Sequence, residues 1–128
     1  MAGTILREAH FPGRAPIEAY GNGGFRFADM SHRGSLLCLP SGMHAWDVVD
    51  PSGIARESLE PVFAERESIG LLLLGTGRDV VFIPEALRWH FREAGIGLDV
   101  MPTNAATRTW NILLGENRRV AAALIAVP

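Results

Sequence analysis

Lysine and glutamine are missing from this 128-residue chain, and cysteine occurs once. A single thiol excludes an internal disulfide. Cys38 sits in Leu36-Leu37-Cys38-Leu39, where a small buried hydrophobe is expected. Nothing beside it supplies the positive charge that activates a thiol, so it reads as inert. Long apolar runs are also lacking. The longest aliphatic stretch, Leu71 to Leu74, falls far short of the ~20 residues needed to cross a bilayer. No positive segment followed by an apolar one opens the chain, so no signal peptide is read. The expected location is the bacterial cytoplasm, with peripheral contact at the inner membrane left open. An excess of positive charge is lacking too. Twelve basic residues stand against fourteen acidic ones, for a net charge of -2, and no basic stripe is present. Nucleic acid is therefore not an expected partner.

What is present is the composition of one globular domain, 48% hydrophobic. A chain of this length buries roughly two-thirds of its unfolded surface and needs no metal or disulfide to hold a core. The basic residues are all arginine. Forked anion contacts would require them in clusters, but they are scattered, as GC-rich coding would leave them.

The texture divides into two halves of one domain over residues 16–128, preceded by an irregular arm over 1–15. Residues 16–50 read as short β-strands. Phe25 and Phe27 alternate with Arg26 and Ala28, after a Gly21-Asn22-Gly23-Gly24 turn that suits a tight hairpin. Strands are expected over 34–39 and 43–49, joined by Pro40-Ser41-Gly42. Residues 57–66 read as a helix with Ser58 placed to cap it. Leu71 to Leu74 belongs to a continuous aliphatic strand over 69–74, of the kind buried on both faces. A helix over 84–94 follows, with Pro84 at its start, Gly95 past its end and Ala86, Leu87, His90, Phe91 and Ala94 on one face. A strand over 98–101 leads to a helix over 104–115, capped by Thr103 or Asn104, whose buried face carries Ala105, Ala106, Thr109, Trp110 and Leu113. Residues 119–127 form the last strand. This β-α-β-α-β order predicts an α/β fold with a mixed, mostly parallel central sheet, flanking helices and an additional layer of N-terminal β-hairpins.

Two loops draw attention as a candidate site. Gly75-Thr76-Gly77 follows the buried strand, and Pro102-Thr103-Asn104 follows the next one and opens a helix. In open α/β sheets, ligands bind beyond the carboxyl ends of parallel strands. If the strands are neighbours, Gly75, Thr76, Gly77, Thr103 and Asn104, with Arg108 and Asn111 along the helix, would bound a small-anion or small-molecule site, in a binding domain or an enzyme. The plainer reading is a tight turn and an ordinary helix start. Gly-Thr-Gly matches neither the phosphate-loop pattern nor the dinucleotide fingerprint. No metal is expected, because His32 near Asp29 and His44 near Asp47 lack ligand spacing. No nucleophile elbow occurs, and no catalytic residue or cofactor is assigned. Trp89 falls with Glu85, Arg92 and Glu93 on the polar side of its helix. It is either a partner-contact anchor or a ring covered by the N-terminal segment, and covering is preferred.

Gly21-Asn22-Gly23-Gly24-Phe25, Leu74-Gly75-Thr76-Gly77, Met101 through Asn111 and Arg118 through Leu124, in this order and spacing, resemble a family of small Mth938-like domains. That family includes the mitochondrial respiratory complex I assembly factor three. The resemblance covers about residues 16 to 127. It implies a compact α/β fold with a mixed sheet and an extra β layer. It also implies a non-enzymatic accessory role in complex I assembly or membrane-protein biogenesis, with membrane-complex subunits or assembly proteins as partners. Relatives often carry Cys where this chain has Thr107, Tyr where it has Trp110, and Gly near Asn117. The Thr107 departure argues against any thiol chemistry here.

Overall fold

A computed structural model describes residues 11–128. The first ten residues of the expected N-terminal arm lie outside the described residues. Strand β1 (Ile17–Gly21) turns through Asn22 and Gly23, both at positive φ, into β2 (Gly24–Phe27). Two left-handed residues match the twist of a two-residue hairpin. A second turn, Ala28-Asp29, adopts the same left-handed pair and leads to β3 (Met30–Arg33). No Asn-Gly or Gly signal marks this turn, so the sequence does not separate β3 from its neighbours. The three strands form their own antiparallel sheet, the expected extra layer.

The second sheet has the order β5-β4-β8-β6-β7. Its strands are β4 (Ser35–Leu39), β5 (Gly42–Trp46), β6 (Leu71–Gly75), β7 (Gly97–Met101) and β8 (Val120–Leu124). The half around β6 is parallel, pairing with β7 and β8. The other half is antiparallel, with β4 between β5 and β8. Three α-helices are described: α1 (Glu60–Ala64), α2 (Glu85–Ala94) and α3 (Thr103–Gly115).

Every residue of β8 is buried, because both faces of the sheet are covered. Ala121 and Ala123 join Leu72 and Leu74 in a core with Phe63, Leu87 and Phe91. Val120, Ala122 and Leu124 join Leu73 in a second core with Phe25, Phe27 and Trp110. The period of two thus divides one strand between two cores. In α2 the stripe is narrow. Leu87 and Phe91 are buried, the Phe91 and Phe63 rings lie 4.7 Å apart, and Ala86 is exposed although the helical spacing groups it with them.

Three local expectations are corrected. The expected helix over 57–66 breaks into a 3-10 turn (Glu57–Leu59), α1 and a second 3-10 turn (Arg66–Ser68). Ser58 does not cap it, because its hydroxyl closes back on Ala55 N–H and C=O, each at 3.0 Å. Neither Thr103 nor Asn104 caps α3. Pro102 holds the cap position and no side chain bonds there. The buried face of α3 is Thr103, Ala106, Thr107 and Trp110, while Ala105, Thr109 and Leu113 are only half buried. Thr103 is tied to the sheet, and that tie sets the rotation of the helix. The stretch from Phe11 to Ala15 is irregular but anchored: Phe11 bridges Met43, and Arg14 Nη1 donates to Arg118 O at 2.8 Å.

Candidate functional site

Parallel pairing places Gly75 opposite both Met101 and Leu124, so the loops after β6, β7 and β8 converge at one edge. That convergence is what the sequence anticipates. Three of the residues expected to face an anion, Thr76, Gly77 and Thr103, have their donors engaged by the fold. Gly77 N–H donates to Thr103 Oγ1 at 2.9 Å, and Thr103 N–H donates to Gly77 O at 2.8 Å. The Thr103 hydroxyl donates to Ile125 O at 2.7 Å, and Ile125 N–H donates to Gly75 O at 2.9 Å. Thr76 N–H donates to Met101 O at 3.0 Å, and its hydroxyl to Asp79 O at 2.7 Å. Gly75, Thr76, Gly77 and Thr103 are all buried. Buried polar groups must be paired, and these pair with one another across three chain segments. Gly75 permits a close approach: a Cβ there would stand 3.1 Å from Thr103 Cα and 3.0 Å from Leu124 Cδ2.

Asn111 is likewise occupied. Its Oδ1 accepts from Ile17 N–H at 2.8 Å, and its Nδ2 donates to Ile17 O at 2.9 Å. One residue of α3 therefore pairs both backbone groups of Ile17 in β1. Beside it, Trp110 Nε1 donates to Ala15 O at 3.0 Å. Asn104 and Arg108 are exposed, and their side chains have no partner among the described residues.

A cleft of about 480 Å³ opens beside this junction, lined by Tyr20, Gly77, Arg78, Asn104, Val127 and Pro128. Of the sequence-derived candidates, Gly77 and Asn104 reach it, whereas Gly75, Thr76, Thr103, Arg108 and Asn111 do not line it. Tyr20 and Arg78 are additions. Tyr20 arrives because Gly23 N–H, in the hairpin turn, donates to Val127 O at 2.8 Å. A contact across that sequence distance leaves no local signal. Arg78 adjoins Gly77 and was legible by adjacency alone.

Elsewhere, Trp89 is 50% exposed, Val80 57% and Phe82 85%. The preferred covering of Trp89 by the N-terminal segment is not supplied by residues 11–15, and residues 1–10 lie outside the described residues. Burial pushes the Cys38 thiol far up, as its apolar setting implies. Glu65 accepts bonds from both the Ser41 N–H and the Ser41 hydroxyl, with His44 Nε2 3.0 Å from that hydroxyl. The carboxylate thus holds the serine, unlike a catalytic relay in which it orients the imidazole. His32 is buried, with Nε2 2.9 Å from Ser35 O. Among the described residues no group of three His, Cys, Asp or Glu is placed to hold a metal ion. No helix there is long and apolar enough to cross a membrane.

A family model described as "Protein of unknown function (DUF498/DUF598)" matches residues 17–125. An uncharacterised protein of Rhodobacter capsulatus is 37% identical over 95% of this chain and 93% of its own length. The mouse NADH dehydrogenase [ubiquinone] 1 alpha subcomplex assembly factor 3 is 28% identical over 96% of this chain, which spans 66% of that protein's length. Among solved structures, a Bartonella henselae protein described as an outer membrane protein superposes with a TM-score of 0.90 and 54% identity, covering 93% of this chain and 100% of that one. A Bordetella pertussis Mth938-like domain superposes with a TM-score of 0.77 and 26% identity, covering 88% and 85%. The fold is Mth938-like, as the resemblance implies.

Proposed function

The chain belongs to the DUF498/DUF598 family, and from that membership we propose that it is a non-enzymatic accessory protein assisting the assembly of respiratory complex I. The observation that carries this reading is the match to complex I assembly factors across almost the whole chain. The site geometry supports it. Gly77 N–H and the Thr103 hydroxyl, in the loops expected to bind an anion, are engaged by the fold, while Val80, Phe82 and Trp89 stay open to a protein partner. The proposed partners are complex I subunits or other assembly proteins, met at the cytoplasmic side of the inner membrane.

The test is a strain lacking the gene, with complex I followed on native gels and by NADH:quinone activity. Stalled or missing complex I, restored by wild type but not by Phe82→Ala, is the expected result. Normal complex I in the deletion strain overturns it. Fractionation of the cells checks the location, since the Bartonella relative is described as an outer membrane protein.

A second reading rests on the cleft at Tyr20, Arg78 and Asn104. Its volume suits a small molecule, and Arg78, without a partner among the described residues, suits an anion. With Gly77 and Asn104 in its wall and Arg108 further along α3, it is the form in which the small-anion site survives. Thermal shifts with phosphate, sulfate and nucleotides, repeated on Arg78→Ala and Arg108→Ala, separate the two readings. Stabilisation that both substitutions leave unchanged removes this one.

A further inference from the structure

The small sheet has one face that the described residues leave uncovered. Its register sets rows across the three strands. Ile17–Phe27–Met30 and Tyr20–Phe25–His32 lie on one face, and Ala19–Arg26–Ser31 and Gly21–Gly24–Arg33 lie on the other. Ile17, Phe25, Phe27 and His32 of the first face are buried. On the second face Ala19, Arg26, Ser31 and Arg33 are exposed, and the two glycines contribute no side chain.

That second face carries two positive charges, on Arg26 and Arg33. Glu18 falls in the bulge between Ile17 and Ala19 and does not line the cleft found there. Neither arginine forms an ion pair among the described residues, where the recorded pairs involve Arg56, Arg92 and Arg118. Arg26 Nη1 donates to Ser31 Oγ at 3.0 Å, which orients one fork along the face. Arg26 and Arg33 are diagonal neighbours, a placement that sets residues about 7–8 Å apart with their Cβ atoms somewhat closer. Long side chains at that spacing reach a common point. The cleft they border measures about 340 Å³, with Gly21, Asn22 and Gly24 along its wall.

We propose that this face binds a phosphate-bearing anion, gripped by the guanidinium groups of Arg26 and Arg33, with Ser31 fixing the first of them. A planar carboxylate fills one arginine fork, whereas a tetrahedral phosphate presents oxygens to two forks that are not coplanar. The glycines keep the approach open. The site shares Tyr20 with the cleft beside Gly77 but none of that cleft's other lining residues, so its failure leaves the proposed assembly role untouched.

The test is a titration of the full chain followed by its amide and arginine Nε NMR signals. Pyrophosphate is the free-ligand probe, and vesicles containing phosphatidylglycerol are the headgroup probe, each against chloride at matched ionic strength. Saturable shifts confined to residues 19–33, weakened about tenfold or more in Arg26→Ala and Arg33→Ala, support the site. A response to pyrophosphate assigns a soluble phosphate ligand, and a response to vesicles alone assigns a lipid headgroup. Unchanged melting temperatures in both variants keep unfolding from imitating the loss. Shifts that chloride reproduces, shifts that survive the Arg26→Ala/Arg33→Ala double substitution, or no shift with either probe overturn the proposal.

Discussion

The junction where Gly75–Gly77 meets Thr103 and the outer face of the three-stranded sheet treat their polar groups in opposite ways. At the junction, buried N–H and hydroxyl groups bond one another, and the strand ends become a fixed unit. On the sheet face, two arginines stand in solvent without a counter-ion among the described residues. The difference shows why a glycine-rich run after a strand is weak evidence of a ligand. The same residue types serve a close approach of backbones as readily as the approach of an anion. Desolvation decides between the two, since a buried donor without a protein partner is costly, whereas an exposed one is free to wait for a ligand.

The largest effect expected on this contrast comes from Trp110, which is fully buried and bonds Ala15 from the core shared by α3 and the small sheet. Trp110→Ala should cost about 3–5 kcal/mol in denaturant unfolding. A loss near zero would mean that the two regions are not packed as one unit. Gly75→Ala comes next. Its new methyl meets Thr103 backbone 3.1 Å away, so about 1–3 kcal/mol of destabilisation is expected by the same measurement. Thr103→Val tests the hydrogen bonds rather than the packing. It strands the Gly77 N–H and Ile125 carbonyl and should cost about 2 kcal/mol, while Thr103→Ser retains most of the stability. If Val is tolerated as well as Ser, the junction is not held by its polar groups.

Two smaller effects sharpen the contrast from the other side. Thr107 Oγ1 is the one buried side-chain polar atom without a partner among the described residues. Thr107→Val keeps the shape and removes the unpaired hydroxyl, so a gain of about 1 kcal/mol is expected, read as a higher melting temperature. Phe82→Ala, at an open surface position, should change stability by less than about 0.5 kcal/mol. Its effect should appear only as failed complementation of complex I assembly. A large loss of stability instead would make Phe82 part of the fold and withdraw it from the partner surface.

Much of the fold was legible along the chain. The Asn22-Gly23 turn, the doubly buried leucine strand and the Pro84 and Gly95 limits of α2 each carry a local physical signature. The helix expected over 57–66 was less legible. Its periodicity is short, and Ser58 finds its hydrogen bonds behind it at Ala55. The candidate site was legible only as a place. The two loops meet as anticipated, yet Thr103, Asn111 and Gly77 serve the structure, and Tyr20 enters through a hairpin contact at Val127.

The sequence by itself determined an α/β domain with hairpins before a parallel unit, because turn chemistry and apolar period act within a few residues. Tertiary structure alone decided which face of α3 is buried, which loop donors are engaged and which arginines lack an ion pair among the described residues. Those outcomes depend on partners far along the chain, such as Ile17 with Asn111 and Ala15 with Trp110. The cost of burying an unpaired polar group is settled only when both partners are in place.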